Sequence, residues 1–194
     1  MKKIIILLLL LNFNFTNSFS MEADVFVQST VNRAAETLGG GLTKKERMDK
    51  LKKIALDTVD IRGIGLYSLG VHRKSVSKKQ KAEYEKAFSE YFLQSFASRL
   101  AVYSNPIINV DSKKKINENY TLVSSTLVAT DKRPAVKIDW RVYTKNKDQP
   151  LIRDLIIEGL SLARTQKEEF NSIILSADGD VNVLISKLKE FSNS

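Results

Sequence analysis

The sequence feature that most restricts the fold is a two-residue alternation in the middle of the chain. Between Val136 and Tyr143, apolar side chains alternate with Lys, Asp, Arg and Tyr. Such a strand has one apolar face and one wet face, which is typical of an antiparallel sheet covered on one side. Tyr120–Ala129 and Leu151–Glu158 are also rich in strand-forming residues, and turn-like stretches separate the three segments. The sequence therefore predicts a meander, with Ile107–Val110 as a candidate for a short additional strand.

Helical periodicity flanks this sheet on both sides. Apolar residues recur at helical spacing between residues 24 and 104 and again between 165 and 192, whereas the predicted sheet occupies 107–159. Helices, then a meander, then helices indicate an α+β domain. The helix starts are predicted from capping residues at Thr43, Asp60, Ser77, Thr165 and Asp180.

One predicted helix carries an unusually long and mostly aromatic stripe. It begins at the capping box formed by Ser77 and Gln80 and stops at Asn105-Pro106. A core explains such a stripe for any single residue, and periodicity alone does not separate core from the lining of a cavity. The residues of the stripe are Tyr84, Phe88, Tyr91, Phe92, Phe96, Leu100 and Tyr103.

The first twenty residues have the pattern of a secretory signal peptide. Lys2 and Lys3 precede an unbroken apolar run, Ile4–Leu11, which is too short to span a membrane. Ser18-x-Ser20 then supplies a small-x-small cleavage site. We therefore expect cleavage near Ser20, release of residues 21–194 as one soluble domain, and a location outside the inner membrane.

The composition excludes several kinds of chemistry. The chain has no cysteine, and His72 is its one histidine, so thiolate metal sites, Cys nucleophiles and histidine-based metal clusters are not expected. P-loop, G-x-S-x-G and H-E-x-x-H motifs are missing as well. Export and the mixing of basic with acidic residues argue against nucleic acid as the partner, despite a net charge of +9.

Three carboxylates remain as candidates for acid–base chemistry, and a structural interpretation is favoured for each. Asp139 and Asp154 are predicted to face away from the apolar side of their strands. Glu158 ends its strand before a glycine, where it could pair with Arg153 or Arg164. The sequence therefore predicts neither a catalytic residue nor a metal site, and no cofactor.

Several motifs together resemble the MlaC family, the periplasmic phospholipid-binding proteins also called the toluene-tolerance family. The most specific is a strand running into Asp-x-x-x-Glu-Gly-x-Ser, here Asp154–Ser161. Arg133-Pro134 and the Val-x-x-Asp-Trp of Val136–Trp140 agree with it. So do the Leu-Gly segment Tyr67–Gly70 with the aromatic helix after it, and the closing helix pair. The resemblance covers roughly Val59 to Phe191.

The resemblance implies a fold and a function. The fold would be an NTF2-like cone, a curved antiparallel sheet wrapped by helices around an apolar ligand cavity. The function would be a phospholipid shuttle in the periplasm, for an ABC-type system that maintains the lipid asymmetry of the outer membrane. Its partners would be an outer-membrane lipoprotein–porin complex and an inner-membrane ABC transporter, with no cofactor or metal.

The lining of the cavity is predicted from the direction in which side chains face. Sheet positions on the apolar face and helix positions on the aromatic stripe should meet around the lipid tails. The predicted lipid-binding residues are Tyr67, Leu69, Tyr91, Phe92, Phe96, Trp140, Val142, Leu155 and Ile157. Three alternatives stay open: a carrier of another apolar lipid such as a hopanoid, an NTF2-like enzyme, and an adaptor with a solid interior.

Overall fold

The structure, a computed structural model, describes residues 21–131, 133–146 and 148–193. The predicted signal peptide, residues 1–20, lies outside this part of the chain. Helices α1 (Ala23–Gly39), α2 (Lys44–Thr58), α3 (Ile61–Ser68) and α4 (Lys78–Leu100) come first, with a 3-10 segment, Gly70–Lys74, before α4. Strands β1 (Ile108–Asn117), β2 (Tyr120–Leu127), β3 (Val136–Tyr143), β4 (Leu151–Ile157) and β5 (Leu160–Ser161) follow, and then α5 (Leu162–Leu175) and α6 (Val181–Ser192).

The strands form an antiparallel meander in the order β1-β2-β3-β4-β5. Val123, Trp140 and Val142 are 0%, 8% and 0% exposed, and we call the face of the sheet that carries them the inner face. Side chains directly opposite one another on neighbouring strands share a face, so the register assigns every strand position to one side. The predicted α+β class, with helices packed on an antiparallel sheet, is confirmed.

Register shifts change the alternation in strands β1 and β4 of the sheet. In β4, Ile152 is opposite Val142 and Leu155 is opposite Trp140, so one extra residue stands between these two inward positions. The bulge turns the neighbours Arg153 and Asp154 to the outer face together, whereas strict alternation would send one of them into the core. A similar irregularity in β1 lies between Val110 and Ser112.

Four of the five helix starts predicted from capping residues are confirmed. The capping boxes at Thr43 and Ser77 are complete, and Asp60 and Asp180 accept from the backbone N–H groups of Gly63 and Asn182. The predicted start at Thr165 is wrong, because Ser161 caps α5 four residues earlier. A capping pattern inside a helix is indistinguishable in sequence from one at its start.

Strand β1 is longer than the sequence indicates. The alternating apolar residues end at Val110, and a polar run with three consecutive lysines follows. The strand nevertheless continues to Asn117, because pairing with β2 satisfies its backbone groups without requiring an apolar face. Such polar residues are also usual on an edge strand, where they oppose edge-to-edge association.

One apolar core joins the inner face of the sheet to helices α1 to α6. Its buried members include one from each helix: Val27, Ala55, Ile64, Phe88, Phe170 and Leu184. A second, smaller cluster lies where α1, α2 and the end of α4 meet; its buried members are Leu38, Leu51, Ala97 and Ala101.

Candidate functional site

The inner face is sealed where β3 ends and β4 begins. Val142 and Ile152 are opposite each other there, 0% and 4% exposed. The backbone N–H of Asp60, just before α3, donates to the Ile152 carbonyl at 2.9 Å. Arg153 then ties the outer side of the sheet to the same helix start, because its Nε donates to the Asp60 carboxylate at 2.6 Å. We call this region the closed end.

The opposite end of the same face is only partly covered. Ile108 pairs in register with Leu127, and Leu127 with Val136, while Val110 lies in the next row. Ile108, Val110 and Val136 are half-buried and pack against the core, as does Leu155 nearer the middle. Apolar side chains are partly exposed to solvent in this region, and we call it the open end.

Helix α4 runs from the closed end to the open end. Its Tyr84 donates a hydrogen bond of 2.8 Å to the carbonyl of Gly65 in α3, the helix that joins Ile152. Tyr103 lies just beyond the last turn of α4, and its ring centre is 5.1 Å from the guanidinium of Arg133. Arg133 lies between β2 and β3, at the open end. The aromatic stripe therefore spans the full length of the inner face.

Burial along the stripe changes in the same direction as burial along the sheet. Tyr84 and Phe88 are fully buried, and burial raises the pKa of the Tyr84 hydroxyl far above its ordinary value. Phe92 and Phe96 are half-buried and stack with their rings 5.9 Å apart and 8° from parallel. Helix and sheet thus both expose apolar surface at the open end.

The structure brings most of the predicted lipid-binding residues to this interior. Trp140, Val142 and Leu69 are buried members of the core, and Leu155 is opposite Trp140. Ile157 is half-buried opposite Ile138. On α4, the predicted residues Tyr91, Phe92 and Phe96 pack against the same core.

Tyr91 and Tyr67 differ from this pattern. Tyr91 packs sideways, 5.0 Å from the Phe191 ring of α6, and donates to Oε1 of Gln166 at 3.0 Å. Desolvation raises the pKa of the Tyr91 hydroxyl, and the nearby Glu169 adds to that rise. The predicted inward direction of Tyr67 is wrong: the side chain is 43% exposed, and the Lys167 ammonium lies 5.3 Å from its ring centre.

Sequence reasoning missed the apolar residues of the first two strands. Ile107–Val110 was predicted as a short strand, but the polar run after it left the inward direction of Ile108 and Val110 unassigned, and Leu127 ends β2 next to a turn. The register with Val136 would have found them, because residues opposite an inward position also face inward. Leu93, at the edge of the core, was missed for a different reason, since it lies beside the predicted stripe of α4.

Two surface grooves among the described residues contain none of the nine predicted lipid-binding residues. One runs between α4 and α6 past Glu83, Lys86 and Lys189. The other borders the closed end and is lined by Asp60, Arg62 and the β3–β4 turn, among others. The apolar cavity expected from the sequence is neither of these grooves, and it stays a prediction.

The Asp154–Ser161 motif is explained by backbone geometry. Glu158 and Gly159 both have positive φ, 48° and 83°, as a two-residue hairpin turn requires. The buried Asp154 then accepts from Ser161 Oγ at 2.7 Å and from the Ala163 N–H at 3.0 Å. Ser161 in turn caps α5. The motif therefore starts α5 at the edge of the sheet.

The remaining candidates for chemistry have structural partners. Asp139 accepts from Ser124 Oγ at 2.6 Å on the outer face, as the alternation predicts. Glu158 accepts from the Lys137 N–H and forms no ion pair with Arg153 or Arg164, so that predicted pairing is wrong. Nε2 of His72 lies 3.0 Å from the Asn171 side-chain oxygen. Among the described residues, no group of His, Asp and Glu could hold a metal ion.

The described helices include none that is long and apolar enough to cross a membrane. This finding concerns residues after position 20, and the apolar run Ile4–Leu11 lies outside it.

Comparison with known proteins gives three findings. The sequence profile of the family described as MlaC protein matches residues 27–190. The chain is 26% identical over 138 residues to the intermembrane phospholipid transport system binding protein MlaC of Haemophilus influenzae. That alignment covers 70% of this chain and 63% of the relative, so the chain spans less than two thirds of the curated relative it matches.

A solved structure shares the fold. It is the phospholipid-binding protein from Ralstonia solanacearum in complex with a phospholipid, with a TM-score of 0.75 and 20% sequence identity. The likeness covers 89% of this chain and 98% of the other. Because the family profile covers most of the sequence and the architecture agrees, this chain belongs to the MlaC family.

Proposed function

We propose that this chain is a periplasmic shuttle that binds phospholipid, holds its acyl chains against the inner face of the sheet, and performs no catalysis. The observation that carries the proposal is the gradient along that face, which is sealed at the closed end and apolar but half-covered at the open end. Membership in the MlaC family and the phospholipid bound to the Ralstonia relative support it.

The energetics explain why a carrier is needed. Exposing a methylene group to water costs about 0.8 kcal/mol, so two ordinary acyl chains amount to more than ~20 kcal/mol. An apolar interior removes most of that cost. The interior must not bind much more tightly than a bilayer does, because the lipid has to leave again. Few hydrogen bonds to the tails are therefore expected.

We propose that the tails enter at the open end. Leu155, Ile157, Phe92 and Phe96 are half-buried, so they can move aside without losing a fully packed environment. Trp140, Val142 and Leu69 would then form the floor of the lined space. Tyr91 would border it beside α6.

The location and partners follow from the same proposal. Residues 1–20 would direct export and be removed near Ser20, leaving 21–194 as a single lipid-binding domain. The shuttle would exchange lipid with an outer-membrane lipoprotein–porin complex and with an inner-membrane ABC transporter. The similarity to the Haemophilus relative, a binding protein of an intermembrane phospholipid transport system, supports this role.

The test is direct lipid analysis. Purified protein is extracted with organic solvent, and the extract is examined by mass spectrometry; delipidated protein is then incubated with vesicles containing labelled phospholipid. Co-purified phospholipid and uptake of the label are expected. A hopanoid in the extract would replace phospholipid as the cargo, and protein that neither carries nor takes up lipid would favour an adaptor.

A further inference from the structure

Arg133 stands where the headgroup of a lipid entering at the open end would lie. Its backbone forms two hydrogen bonds with Thr130, of 2.9 and 3.1 Å, which close the β2–β3 turn. The turn follows Leu127 and precedes Val136, two residues of the outermost inward row of the sheet. Opposite the turn lies the segment after α4, since the Arg133 guanidinium is over the Tyr103 ring. Arg133 therefore bridges sheet and helix at the open end.

The hydrogen bonding of Arg133 is incomplete. Its Nε is buried and has no hydrogen-bond partner, and within the described residues no ion pair joins it to a carboxylate. Arg141 and Arg153, by contrast, are paired with Asp154 and Asp60. A buried donor without an acceptor is costly, and an acceptor on a bound ligand would remove that cost.

We propose that Arg133 binds the phosphate group of the phospholipid headgroup, with Tyr103 holding the guanidinium plane. A guanidinium donates through a rigid fork that matches two phosphate oxygens. Stacking over an aromatic ring keeps that fork oriented. The tails would extend from this point along Ile108, Val136 and Leu155. This inference rests on the proposed function and adds the group that recognises the headgroup.

The experiment separates the headgroup from the tails. Delipidated protein is mixed with dodecyl maltoside micelles that contain either dioleoylphosphatidylglycerol or dioleoylglycerol, which has the same tails but no phosphate. Bound lipid is counted after gel filtration for wild type, Arg133→Gln and Arg133→Lys. Arg73→Gln is the matched control. The substitution removes the same charge, and Arg73 is exposed on the 3-10 segment.

We expect Arg133→Gln to weaken binding of phosphatidylglycerol about tenfold, as loss of a charge-assisted hydrogen bond does, and to leave dioleoylglycerol binding unchanged. Arg133→Lys should recover part of the loss, and Arg73→Gln should match wild type. An equal loss for both lipids, or no loss for phosphatidylglycerol, would overturn the assignment.

A phosphate site could also take free phosphate. Millimolar inorganic phosphate is therefore added to the wild-type mixtures, and it should not reduce phosphatidylglycerol binding, because it lacks the tails. Competition by phosphate alone would overturn the assignment to a lipid headgroup. Wild-type protein that binds neither lipid would contradict the proposed function itself. If wild type and Arg133→Gln bind both lipids equally well, only the assignment of Arg133 is contradicted.

Discussion

The closed and open ends of the inner face are built from the same kinds of residue, and they differ in what covers them. At the closed end, Val142 and Ile152 meet α3, which is itself tied to the sheet by Asp60 and Arg153. At the open end, Ile108 and Val136 have covered neighbours on the sheet but remain half-exposed. The comparison shows that one apolar face is packed as core at one end and left partly exposed at the other, where the proposed function places the lipid.

The largest expected effect comes from placing a charge at each end. Val142→Asp buries a carboxylate without a partner and should lower the free energy of unfolding by about 3–5 kcal/mol. The matched change at the open end, Val136→Asp, leaves its carboxylate within reach of water. That variant should fold and lose lipid uptake. Urea denaturation and vesicle uptake measure the two effects, and equal destabilisation by both would remove the distinction between the ends.

A smaller effect is expected from overpacking the closed end. A Cβ added at Gly65 would lie 2.7 Å from Cδ1 of Phe88, a fully buried ring in the core. Gly65→Ala should therefore destabilise the fold by about 1–3 kcal/mol, measured by thermal or urea unfolding. Gly41→Ala is the control, because nothing lies within 4 Å of its added Cβ. No loss at Gly65 would mean that this end is less tightly packed than the structure shows.

The two tyrosine hydroxyls of the stripe give a finer comparison. Tyr84→Phe removes one of two hydrogen bonds to the buried carbonyl of Gly65, which still accepts from the Leu69 N–H at 3.0 Å, and should cost about 1 kcal/mol of unfolding free energy. Tyr91→Phe removes a bond to the half-buried Gln166 side chain, which water can replace. We expect it to cost less than about 0.5 kcal/mol. If Tyr91→Phe lost more unfolding free energy than Tyr84→Phe in chemical denaturation, the order of burial assigned to the two hydroxyls along α4 would be contradicted.

The smallest effect is expected at the edge of the sheet, where Lys113 of β1 contacts Glu22 and Asp24 at 2.8 Å each. The hydrogen bond from Lys113 lowers the pKa of Asp24 below its ordinary value of 3.8. Stability from this pair is therefore present above pH 3.8 and is lost as the pH falls through the lowered pKa.

Lys113→Gln should cost about 0.2–0.4 kcal/mol at neutral pH, since both partners are substantially exposed. The difference from wild type in urea denaturation should disappear in acid. A difference that persisted below the pKa of Asp24 would mean that the lysine stabilises the edge by packing instead of charge.

Much of the candidate site could be predicted because local patterns carry it. Alternation in Val136–Tyr143 identified Trp140 and Val142 as inward, and helical spacing identified the aromatic stripe of α4. Ile108 and Val110 could not be found in this way, because their inward direction depends on pairing with β2. Tyr67 was misplaced because a helical period gives a relative face, and only the neighbouring helices decide which face is covered.

The sequence by itself determined the class of fold, the meander, most helix caps and the membership of the MlaC family, since each depends on residues close together in the chain. Only the tertiary structure decided which end of the inner face is sealed. It also decided that a bulge turns Arg153 and Asp154 outward together and that Arg133 meets Tyr103. The physical reason is that periodicity fixes the direction of a side chain relative to its own element, whereas burial depends on distant segments packed against it.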